Sequence, residues 1–153
     1  MTDRATIDRI LTANRYCVLA TADASGRPWA TPVFVAPLGD DRLRWVSGAD
    51  ARHSRNIASR SSVAVTVFDS TVPVGSAEAA YFDAAASRVP ADEVGAALRA
   101  LNDRLPFGRA LSPADVDAGG PMELYQARIL HRYVLVRGGD PGHGNVLDMS
   151  LEV

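Results

Sequence analysis

The sequence predicts a mainly β fold, an antiparallel barrel or meander with helices at its periphery. Short alternating runs recur, as where Val63, Val65 and Val67 interleave with Ala64, Thr66 and Phe68. Clusters of turn formers such as Asp23-Ala24-Ser25-Gly26 separate them. Successive runs also sit too close together for the helical crossovers of a parallel sheet.

Each element has its own local reason. Ile7, Ile10 and Leu11 form one apolar stripe on a short helix over residues 3–15, with Thr2 or Asp3 as N-cap. Cys17–Ala22 reads as a strand, and the turn formers up to Pro28 reverse the chain. In Trp29–Ala36, the side chains of Trp29, Thr31, Val33 and Val35 face one way and those of Ala30, Pro32, Phe34 and Ala36 the other. Pro32 has no N–H to give a ladder, so it implies an edge position or a bulge, with backbone groups free nearby. A turn over Pro37–Asp41 then makes Arg42–Ser47 the second arm of a hairpin with this strand.

Asp50 is placed as N-cap of a short helix over residues 51–60, which carries His53, Asn56, Ile57 and Arg60 on adjoining faces. The valine strand 63–67 follows, and residues 76–88 read as another strand despite their alanines. Pro90 opens a helix with Val94, Leu98, Leu101 and Leu105 as its buried stripe. Ser112 and Pro113 start a second, short one. Residues 122–136 form a long strand, with Tyr125, Ala127, Ile129, Tyr133 and Leu135 on one face and Leu124, Gln126, Arg128, Arg132 and Val134 on the other.

Composition excludes several chemistries. The 153 residues suit a single domain over 1–153, with a net charge of −2 that argues against a nucleic-acid or anionic-membrane binder. All 16 basic residues are arginine. Without lysine there is no Schiff base to pyridoxal phosphate and no Walker phosphate loop. Cys17, the only cysteine, reads as a small buried hydrophobe. His53, His131 and His143 lack metal-ligand spacing, so no metal is expected. With no signal-peptide pattern and no apolar run long enough for a bilayer, the chain reads as cytoplasmic.

The segment Trp45–Ile57 carries the most chemistry. A strand ends at Ser47, Gly48 loosens the turn and a helix begins near Ala51. Such turns present unpaired N–H groups and the positive end of a helix dipole. Ser47 adds a hydroxyl and Arg52 a planar cation suited to phosphate, while Arg55 and Arg60 extend the positive field.

The run Gly26-Arg27-Pro28-Trp29-Ala30-Thr31-Pro32-Val33-Phe34-Val35, then an aromatic-bearing strand, a small-residue turn, His53-Ser54-Arg55-Asn56-Ile57 and the valine strand, resembles the pyridoxamine 5′-phosphate oxidase-like group of flavin-binding split barrels. The likeness spans roughly residues 5–137 in element order and is most specific over residues 26–67. It implies an antiparallel Greek-key split β-barrel of about six strands and a homodimer, with flavin mononucleotide (FMN) in clefts between subunits. Carried onto this chain, it sets Thr31, Pro32, Val33 and Phe34 beside the isoalloxazine. Trp45, Val46 and Ser47 would line the ring and ribityl chain, and Arg52, His53 and Asn56 the phosphate end.

Two departures stand out. Many relatives have lysine where this chain has His53, and Asp140–Leu147 lacks the C-terminal tryptophan and arginine signature of the vitamin B6 enzymes. The resemblance therefore implies an FMN-dependent oxidoreductase acting on an unidentified small-molecule substrate. Two alternatives stand beside it: a reductase using the deazaflavin coenzyme F420, and a non-catalytic flavin- or haem-binding dimer for sensing or storage. No catalytic acid or base is singled out, and Tyr81, Tyr125 and His131 are the candidates.

Overall fold

The computed structural model describes residues 3–153, so Thr2 lies outside the described residues. Helix α1 (Asp3–Ala13) precedes strands β1 (Tyr16–Ala22), β2 (Pro28–Phe34), β3 (Ala36–Leu38) and β4 (Arg42–Ser47). Helix α2 (Arg52–Ser59) is followed by β5 (Ser62–Phe68) and β6 (Ala79–Arg88). Helices α3 (Val94–Asn102) and α4 (Pro113–Val116) then lead to β7 (Glu123–Val136) and β8 (Met149–Glu152).

All strands join one antiparallel sheet in the order β2-β1-β5-β6-β7-β4-β3, with β8 on a further stretch of β7. Six are at least six residues long, while β3 and β8 have only three and four. The sheet curls until β2 returns beside β4, with which it does not pair. That unpaired seam is the split of a split β-barrel.

The concave face holds the main core. Leu19, Leu43, Trp45, Val65 and Phe82 are each at most 2% exposed, and α1 caps them with Ile7 and Ile10. A smaller core lies on the opposite face, where Leu98 and Leu101 of α3 cover Leu124 and Ala36. Arg44 is buried on that side and donates to Glu93 (2.8 Å) at the start of the α3 segment. Cys17 is buried, and burial pushes its thiol up to about 12.

Four local expectations are corrected. Pairing of β2 is with β1 alone, and the hairpin partner of β4 is the separate strand β3. The chain leaves the β2 ladder at Val35, whose N–H donates to Arg15 O (3.0 Å). Asp50 does not cap α2: the cap position is Ala51, with no side-chain bond, because the Gly48 turn delays the helix by one residue. Finally, β7 does not keep one apolar face. Its register with β6 jumps from Asp83↔His131 to Ala84↔Ile129, so β7 carries an extra residue at Leu130. Tyr125 and Ala127 are buried before this bulge and Val134 and Val136 after it, which turns Tyr133 and Leu135 away from the core.

Candidate functional site

The residues singled out in the sequence lie on β2, β4 and α2. Strand β2 is an edge strand, as Pro32 implied, so the main chain of Thr31–Phe34 has a ladder partner on one side only. Val33 is buried on the concave face, and Pro32 is exposed. Phe34 turns to the convex face and meets Tyr16 edge to face at 6.1 Å.

Strand β4 delivers Ser47 to the start of α2. Ser47 Oγ and His53 Nε2 share a hydrogen bond of 2.7 Å, which joins the strand end to the first helical turn. Partial burial holds the His53 imidazole below its ordinary range, so the neutral form is favoured in the ligand-free protein. Arg52, one residue earlier, is exposed, and its guanidinium carbon stands 4.2 Å over the Trp29 ring. Among the described residues no carboxylate pairs with it. Arg60 at the far end of the helix donates to Ala24 O (3.1 Å).

Two expected contact residues face inward. Trp45 is 1% exposed and stacks on Tyr125 at 6.0 Å, so its side chain belongs to the core and only its main chain is available to a ligand. Asn56 is buried and donates to Thr21 Oγ1 (3.0 Å), so its amide anchors α2 to β1.

The sequence reading gave no site role to Trp29 or Thr21. Alternation already put Trp29 on the face of Thr31, but only the packing of α2 reveals what the ring and the hydroxyl hold.

The donor set fits an anionic phosphate. No side chain caps α2, which leaves its first-turn N–H groups to outside partners. Ser54 in that same turn is 2% exposed, and its Oγ is among the buried polar atoms with no partner. Ser47, His53 and Arg52 add a hydroxyl, an imidazole and a guanidinium. The nearby carboxylate of Glu123, opposite Ser47 in the ladder, is neutralised by Arg88 at 2.7 Å.

Three arginines elsewhere are already engaged. A hollow of about 240 Å³ beneath α1 is lined by Arg4, Arg42 and Arg132. There Arg4 pairs with Asp8, Arg42 with Asp41, and Arg132 donates to Asp40 O. Among the described residues no cluster of three histidine, cysteine or acidic side chains forms a metal site. No helix there is long and apolar enough to cross a membrane.

A family model described as pyridoxamine 5′-phosphate oxidase matches residues 4–127. No curated protein matches the chain in sequence. Among solved structures, a heme binding protein from Mycobacterium smegmatis is similar at TM-score 0.71 and 21% identity, covering 99% of this chain and 59% of that one. The chain thus spans about three fifths of that relative's length. A heme storage protein from Vibrio cholerae is similar at TM-score 0.66 and 19% identity, with 84% and 91% covered. A FAD-binding protein from Mesorhizobium loti is similar at 0.63 and 17%, with 86% and 92% covered. At such identities these likenesses concern the fold.

Proposed function

Since this chain belongs to the pyridoxamine 5′-phosphate oxidase family, we propose that it binds FMN and acts as a flavin-dependent oxidoreductase on a small molecule. The observation that carries the reading is the cradle at the start of α2, where the bonded pair Ser47–His53 and the neighbouring, exposed Arg52 accompany first-turn N–H groups that no side chain caps. A bound flavin supplies hydride acceptance and donation, and the protein binds and orients it. Arg52 neutralises the phosphate, His53 and Ser47 donate to it, and the open edge of β2 offers main-chain groups to the ring.

We further propose that the protein is a homodimer, with each cradle completed by a second copy. The convex face of β1, β2 and β5 supports this. It carries small or apolar side chains such as Val18, Ala20, Ala30, Pro32, Ala64 and Thr66, with Tyr16 62% and Phe68 43% exposed at one end. Alanine-rich sheet of this kind lets a second sheet approach closely, and a broad apolar patch marks an interaction surface. A cytoplasmic setting suits the single buried cysteine.

A second reading rests on the heme-binding neighbours: a storage or sensing dimer with no catalysis. Mass spectrometry of small molecules released from the purified protein separates the readings. FMN supports the proposal, F420 moves it to a deazaflavin reductase, and haem favours storage. FMN that no nicotinamide or other reduced donor reduces under anaerobic conditions contradicts catalysis and leaves only binding.

A further inference from the structure

We propose that Trp29 is a positioning residue that presets Arg52 for an anionic phosphate and so selects a phosphorylated flavin over its unphosphorylated form. The inference rests on the flavin reading above and deepens it.

Arg52 and Asn56 are four residues apart and share one helix face. Trp29 and Thr21 are direct partners across β1 and β2. The two pairs meet: Arg52 lies over the Trp29 ring at 4.2 Å, and Asn56 donates to Thr21 Oγ1 at 3.0 Å. One helix face is therefore clamped at two points on one cross-strand pair. The Thr21–Asn56 bond is buried and fixes the helix. The Trp29–Arg52 contact lies at the surface, with Trp29 39% exposed, and fixes a side chain.

Among the described residues Arg52 has no carboxylate partner, and a free arginine gives up considerable rotamer freedom when it engages a ligand. Attraction to the indole face confines it beforehand. A ring face takes none of the guanidinium's donors as a carboxylate would, so its N–H groups stay available to phosphate oxygens. An indole on the edge strand beside the seam thus does for Arg52 what a carboxylate could not, since a carboxylate would occupy the donors and cancel the charge.

The test compares FMN with riboflavin, which has the same ring and no phosphate, by fluorescence titration of the full chain. Trp29→Ala is expected to weaken FMN about two- to fivefold and leave riboflavin unchanged. Trp29→Phe keeps an aromatic face and should restore most of the FMN affinity. In an Arg52→Ala background, Trp29→Ala should have no further effect on FMN. Equal losses for both ligands would show a ring-lining role and overturn the inference, as would unchanged FMN affinity in Trp29→Ala. If the wild-type protein binds both ligands alike, the phosphate is not recognised and this inference falls, while the flavin reading stands. Wild-type protein that takes up neither overturns the flavin reading and this inference with it.

Discussion

Asn56 Nδ2 donates to Thr21 Oγ1 across 3.0 Å, and both residues are buried. This bond ties the helix carrying Arg52 and His53 to the end of β1, beside edge strand β2. In Asn56→Ala a buried hydroxyl loses its partner, which costs about 1–3 kcal/mol. Urea denaturation should show that loss, together with weaker FMN binding because the cradle's helix is no longer fixed. Unchanged stability would mean that the bond is replaced by water.

His53 gives the site a pH dependence. Burial holds its imidazole below the ordinary 6.5, so acidification below that value protonates the unfolded chain first and lowers stability. A phosphate alongside reverses the balance and raises the imidazole pKa. FMN binding should therefore take up a proton, and affinity should rise as the pH falls from the alkaline side toward the ordinary imidazole range. Calorimetry in buffers of different ionisation enthalpy measures the uptake. In His53→Gln both the uptake and the pH dependence should disappear over that range.

The proposed dimer surface is tested at Ala64. Ala64 is exposed on the convex face of β5, opposite Ala20 of β1. Ala64→Arg puts a long charged side chain there without touching the core. Light scattering should give twice the 16.3 kDa chain mass for the wild type and the single-chain mass for the variant. A variant that keeps the wild-type mass would move the interface elsewhere.

The two tryptophans should separate cleanly. Trp45 is 1% exposed and stacked on Tyr125, so Trp45→Ala should cost about 3–5 kcal/mol of stability. Trp29 is on the surface, and Trp29→Ala should leave the unfolding midpoint close to wild type. Chemical unfolding of both variants checks the contrast.

Much of this was legible because local rules governed it. The valines of β5 alternate in burial as their spacing predicts, and Pro32 sits on an edge strand because it cannot serve a central one. Ser112 and Pro113 start α4 as their residue types predict, and the Asp115 carboxylate accepts from Ser112 N and Oγ. Long-range pairing was not legible. Nothing local says that β2 must desert β4 for β1, or that Leu130 must bulge and reverse the parity of β7. The site followed the same division. Ser47 and His53 come together, with Arg52 next to them in the chain, because they flank one strand-to-helix turn. Trp29 and Thr21 join them only through the packing of α2 on the sheet, which depends on residues about thirty apart.

The account stands or falls on the anion cradle at the start of α2. The most direct measurement is titration of FMN into wild-type protein and the Arg52→Ala, His53→Ala double variant. The account predicts saturable FMN binding by the wild type and at least about a tenfold loss in the variant, since two charge-assisted hydrogen bonds are removed. Equal affinity in the two proteins, or no uptake by the wild type, would contradict it.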